Sequence, residues 1–145
     1  MTGTPRRARD DAGQLSLGAV ITIPGIFLLL ALVIAAGRMA MANGAVQSAA
    51  TEAARAASIS RTATDAQAAA HATATSTLAS AGLDCTATTI VPDVSGFATP
   101  LGQDAQVTVT VTCVVPLSDL TVLGVGDRTI TATGTSTLDP YRTRQ

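Results

Sequence analysis

The sequence predicts an α+β protein. A long N-terminal transmembrane helix continues into an Ala-rich helical region, and a small three-stranded antiparallel sheet follows. Three observations predict it. Residues 15–36, LSLGAVITIPGIFLLLALVIAA, run for 22 positions without a charge, where roughly 20 suffice to cross a bilayer core. Small and apolar residues then recur at steps of three and four through an Ala-rich stretch ending near Ala81, the spacing of one helix face. Beyond Gly82 the period falls to two, with Val and Thr alternating as in a half-buried strand. Four regions follow: a cytoplasmic basic leader (1–14), a transmembrane helix (15–36), extracytoplasmic Ala-rich helices (37–81), and a sheet stapled by a disulfide (82–145).

The apolar run is too uniform for a soluble helix, because a domain this small has too little mass to cover an apolar cylinder on every side. Pro24 and Gly25 lie inside it. Membrane helices tolerate that pair when neighbours satisfy the freed carbonyl, so Pro24 predicts a kink and not a break. Arg6, Arg7 and Arg9 precede the run, and Arg38 is the only cation after it until Arg55. The positive-inside bias places the N-terminus in the cytoplasm and everything after about Gly37 outside. The competing reading is a cleavable secretory signal, since Ala40-Met41-Ala42 has the small-x-small form of such sites. Against it, the run exceeds the usual signal core of roughly 7 to 15 residues.

Met39, Ala42, Val46, Ala49, Ala53 and Ala57 share a helical face, and Glu52 is positioned to meet Arg55 one turn on as an ion pair. Faces this small let backbones approach closely, which suits packing on a sheet or on other copies. Thr62 with Asp65 three residues on has the form of a capping box, and Gly82 is placed to close the helix in a left-handed cap. Residues 85–91, 105–115 and 128–138 predict three strands; Val107, Val109, Val111, Cys113 and Val115 take one face, and Thr108, Thr110 and Thr112 the other. Gly124-Val125-Gly126-Asp127 marks a turn before the third strand, and Phe97 is the candidate plug in the long connection. Cys85 and Cys113 are the only thiols. On an oxidising side of the membrane they predict a disulfide; two unpaired buried thiols are the alternative.

Composition excludes several functions. All nine basic residues are Arg, scattered along the chain, with no basic face to neutralise phosphates, so nucleic acid is not a partner. With no Trp, one Tyr and two Phe, the usual aromatic lining of a small-molecule pocket is missing. The single His, His71, has no carboxylate or cysteine at helical spacing, and Asp84, Asp93, Asp104, Asp119 and Asp127 are spread through turns. These residues predict no catalytic site, no cofactor and no metal, and therefore no enzyme.

The segment GQLSLGAVITIPGIFLLLALVIAAGR followed by AVQSAATEAARAAS resembles TadE-type minor pilins, pseudopilin-like proteins of tight-adherence (Tad/Flp) pilus systems. The shared features are a short leader ending in Gly (Gly13), a long apolar helix with a central Pro (Pro24), a closing Gly37-Arg38, and an Ala-rich stretch from Ala49 to Arg55. CTATTIVPDVSGFATPLG, VTVTVTC and TSTLDPYR resemble the actinobacterial branch of that family. The resemblance implies a pilin-like fold in a single-pass protein of the cell membrane. It also implies leader cleavage between Gly13 and Gln14 by a prepilin peptidase, and partners among other pilin-like subunits, the membrane platform proteins of a Tad system and the lipid bilayer. One position departs: the family commonly has Glu five residues after the leader Gly, and here that residue is Gly18. An uncleaved accessory role in pilus assembly fits that departure.

The alternative function is a membrane-anchored extracytoplasmic binding module with no part in a filament. Such a module commonly hangs on a flexible Pro/Gly/Ser linker, and residues 36–60 contain no such stretch. A secreted enzyme released by signal peptidase is disfavoured by the missing catalytic groups.

Overall fold

The computed structural model describes residues 11–116 and 126–141, with side chains at Val20 and from Thr22 onward. Arg6, Arg7, Arg9, Asp119, Gly124 and Val125 lie outside the described residues, as do the side chains at Gly13, Gln14 and Gly18. The order is helix α1 (Asp11–Ser58), helix α2 (Ala63–Ser80), strand β1 (Ala87–Asp93), a short 3-10 helix (Ser95–Ala98), strand β2 (Ala105–Val115) and strand β3 (Arg128–Leu138). This is the α+β class that the sequence predicts. The chain divides into two units, Met1–Met39 and Ala40–Gln145.

In the first unit, α1 carries Pro24 without ending there. Proline lacks an N–H, so the carbonyl one turn earlier loses its ordinary partner. The described large apolar side chains between Val20 and Ile34 are 52 to 70 % exposed. At 1.5 Å per residue, Leu15–Ala36 rises about 33 Å, slightly more than the ~30 Å of a hydrocarbon core.

In the second unit, β2 is the central strand of an antiparallel meander in the order β1-β2-β3. Thr88 stands opposite Cys113, Ile90 opposite Val111, Val109 opposite Gly134 and Val111 opposite Ala132. The alternation expected in the sequence sets the core: Val107, Val109, Val111 and Cys113 are fully buried, together with Val46, Ala49, Ala50, Ala53, Ala54 and Ala57 of α1. Val is the largest of the apolar side chains so enclosed, so the core is built by close backbone approach and not by bulk. Gly134 shows how close: a Cβ there would collide with the Ala50 carbonyl and fall 2.6 Å from Thr51 Cα. Alongside, Gln47 Nε2 donates to the Thr133 carbonyl at 3.3 Å, and Ser136 Oγ donates to Ser58 Oγ at 2.9 Å.

Helix α2 buries Ala66, Ala70, Ala74 and Leu78, one i, i+4 face of the helix. Thr62 caps its start, its hydroxyl accepting from the Asp65 N–H at 3.0 Å. Its end is a Schellman motif: the Gly82 N–H donates to the Ala79 carbonyl at 3.0 Å and the Leu83 N–H to the Leu78 carbonyl at 3.2 Å, with Gly82 at φ +64°. On the opposite sheet face, Thr108, Thr110 and Thr112 meet Thr135, Thr133 and Thr131 through hydroxyl pairs at 3.5, 3.4 and 3.1 Å.

Three details differ from expectation. Cys85 precedes β1 instead of lying on it, because Cys113 faces Thr88 in the ladder and Cys85 reaches it from the connection. Phe97 is half-buried in the 3-10 helix; small helix faces already close the core, and no aromatic plug is needed. Glu52 accepts from the Thr77 hydroxyl at 2.8 Å, joining α1 to α2 where an ion pair with Arg55 was expected.

Candidate functional site

The sequence concentrates its functional signal in residues 13–36. The backbone of Gly13 and Gln14 is helical, in the opening turns of α1. Downstream, α1 is long and apolar enough to cross a membrane by length and composition, and little of its apolar stretch is buried. An exposed row of Ile, Leu, Val and Phe has no stable place in water. Such a surface takes lipid or other apolar helices.

The second feature is the staple. Cys85 and Cys113 form a disulfide with Cα atoms 5.5 Å apart. It joins the α2–β1 connection to the central strand. Cys113 is fully buried and Cys85 half-buried. Beside it lies a groove of about 320 Å³ lined by Thr75, Leu78, Ala79, Leu83, Asp84, Cys85 and Thr88. Its one charged lining residue is Asp84, and no basic residue stands in that lining.

The remaining polar residues are surface groups with local tasks. His71 is exposed on α2. Asp93 Oδ1 accepts from the Ser95 N–H at 3.0 Å; backbone and side-chain hydrogen bonds from Ser95 hold its carboxyl below the usual carboxylate range. Asp139 makes the same kind of turn, accepting from the Tyr141 N–H at 2.9 Å. The sequence reading had not singled out Asp139, although Asp-Pro before the final turn is a visible signal. Asp84, Asp104 and Asp127 are exposed. Among the described residues no polar or charged side chain is buried, and no three His, Cys, Asp or Glu residues group as metal ligands. The sequence-predicted site residues therefore fall in two places, Gly13, Gln14 and Pro24 along α1 and Cys85 with Cys113 in the second unit.

These features define a class: a protein with one exposed helix long and apolar enough to cross a membrane and a small disulfide-stapled α+β unit. Residues 13–55 match the family described as TadE-like protein. The match begins at Gly13, runs through the apolar helix and ends at Arg55, in agreement with the TadE-type resemblance read from the sequence. The distal residues that resemble the actinobacterial branch lie beyond the matched segment. Comparison with curated proteins and with solved structures returns no match.

Proposed function

We propose that this chain is a membrane-anchored minor pilin, or pilus-assembly accessory protein, of a Tad/Flp-type pilus or a related secretion system. Its role is structural and not catalytic. The observation that carries the reading is the TadE-like match over residues 13–55, which coincides with a helix whose described large apolar side chains between Val20 and Ile34 are exposed.

In this reading the part of the cytoplasmic leader before Gln14 is removed by cleavage after Gly13 in a minor pilin, and is retained in an assembly accessory protein. Leu15–Ala36 spans the cell membrane once, with Pro24 kinking the helix. Residues 37–81 and the stapled sheet of residues 82–145 stand outside, where the disulfide persists in an oxidising medium. The partners are other pilin-like subunits and the membrane platform proteins of the system. An uncharged helix with small residues suits both environments such a subunit meets. It is stable in lipid, and Gly25, Gly37 and Gly44, each with open space where a Cβ would stand, let other helices approach closely.

The test separates cells into membrane, sheared-surface and culture fractions, with and without the assembly ATPase of the Tad system. The protein is expected in sheared material or in a membrane complex with Tad platform proteins, and the sheared pool is expected to vanish without the ATPase. Unchanged release without the ATPase, and no co-purifying platform protein, would overturn the reading.

A further inference from the structure

We infer that strand β3 pairs edge to edge with β3 of a second copy of this chain, antiparallel and centred on Thr133, so that the two sheets become one continuous sheet. The pairing involves only the Ala40–Gln145 unit and stands apart from the leader cleavage and the pilus role proposed above.

The order β1-β2-β3 leaves one open edge on β1 and one on β3 among the described residues. An open edge is a row of unpaired N–H and C=O groups, and lone sheets protect it by shortness, charge, proline or a bulge. β1 has such protection: it is 7 residues long, with Pro92 inside it and Asp93 at its end. β3 does not. It runs for 11 residues, as long as the central strand, contains no proline, and carries its one charge, Arg128, at the first position. Its register with β2 is unbroken from Arg128 to Leu138, so no bulge turns the edge aside. One of its carbonyls, that of Thr133, takes a side-chain donor, Gln47 Nε2 at 3.3 Å, and a carbonyl oxygen has a second lone pair for another.

The strand's own pattern selects the partner. RTITATGTSTL has Thr at equal distances on either side of Thr133. In an antiparallel pair centred there, Thr133 faces its own counterpart, Thr131 faces the partner's Thr135, and Thr129 faces the partner's Thr137. On the face covered by α1, Ala132 meets the partner's Gly134 and Ile130 the partner's Ser136. No like charges meet, since Arg128 falls opposite the partner's Leu138. The five threonines are exposed, and three of them already make cross-strand hydroxyl pairs with β2 at 3.1 to 3.5 Å. Pairing of the two copies continues that ladder, and cross-strand Thr–Thr pairs stabilise a sheet.

Register is set by the same pattern. A slip of one residue would place the helix-covered face of one sheet beside the Thr face of the other. A slip of two keeps the faces but shortens the overlap. Centring on Thr133 uses the whole strand and forms about ten backbone hydrogen bonds, the means by which added strands bind. The joint is isologous, and the protected β1 edge stops it from growing into a longer array.

The test is oxidative cross-linking of the full chain in isolated membranes. Thr133→Cys is expected to give a disulfide-linked dimer of this chain, because a residue on the axis faces its own copy within disulfide reach. Thr129→Cys, and Thr89→Cys on the β1 edge, are expected to give at least ten-fold less dimer, and the double variant Thr129→Cys with Thr137→Cys should restore it. Equal cross-linking at Thr89 and Thr133, or linkage of Thr133→Cys to a different protein, would overturn the inference. Amide hydrogen exchange of the unsubstituted chain, which adds no thiol, should find consecutive β3 amides protected. Protection at only every second β3 amide, the pattern of an open edge, would overturn it as well.

Discussion

The backbone of Ala50 lies directly beneath Gly134, so close that the strand residue has no room for a side chain. Helix α1 and the sheet are therefore fitted at the level of main chain, not of interlocking large side chains. The fit explains how a unit whose largest fully enclosed side chains are Val and a disulfide-bonded Cys can still exclude water. Gly134→Ala is expected to destabilise the unit by about 2 kcal/mol or more, since either the helix or β3 must move. Chemical denaturation of the purified protein measures it; a loss below about 0.5 kcal/mol would show that the contact is slack.

Joining Cys85 to Cys113 restrains the chain over a sequence separation of 28 residues. By the chain-entropy relation a loop of this size contributes about 3 to 4 kcal/mol, a large share of the ~5 to 15 kcal/mol typical of whole domains. Replacing both cysteines by Ser should lower the melting temperature by well over ten degrees, or leave the domain unfolded at growth temperature. Calorimetry with and without reductant checks this, and coincident transitions would contradict it.

Helix α2 depends on its ends. Thr62→Ala removes the acceptor of the Asp65 N–H and is expected to cost about 1 kcal/mol. Gly82→Ala forces a side chain into φ +64° and is expected to cost about 1 kcal/mol. The two caps share no hydrogen-bond partner, so the double substitution should be close to additive. Urea titration of the two single variants and the double variant measures each term.

Much of this architecture was legible because small residues make periodicity conspicuous. The Val/Thr alternation of 105–115 gave β2 its bounds, and Thr62 with Gly82 marked both ends of α2. The buried positions Ala50 and Ala54 were not singled out. The face of Ala42, Val46, Ala49, Ala53 and Ala57 is buried as the spacing predicts, but in an Ala-rich helix nothing marks how far the packing face extends, and Ala50 joins it where Gly134 lets the backbones approach. The position of Cys85 ahead of β1 was hidden for a related reason, since strand register sets which residue faces Cys113, and register depends on the tertiary fit. Of the functional signal, the apolar run was visible at once because lipid demands a composition that few soluble helices have.

Asp93 supplies a pH test. Its carboxylate is held below the usual range by the Ser95 hydrogen bonds, so its folded pKa lies under its unfolded value of roughly 3.9. The stabilisation is present above that unfolded value and is lost as pH falls through the folded pKa. Carboxyl titration by NMR should find Asp93 titrating below the ordinary carboxylate range, and Asp93→Asn should remove that acid-side contribution. An Asp93 titration within the ordinary range would refute the turn geometry.

The central claim is that one apolar helix anchors this chain in the cell membrane with its α+β unit outside. Protease shaving of intact spheroplasts, followed by carbonate extraction of the membranes, tests it most directly. The account predicts that the region after Gly37 is digested from outside, while a fragment containing Leu15–Ala36 resists both protease and carbonate. Full protection of residues 40–145 in intact spheroplasts, or release of the whole chain by carbonate, would contradict it.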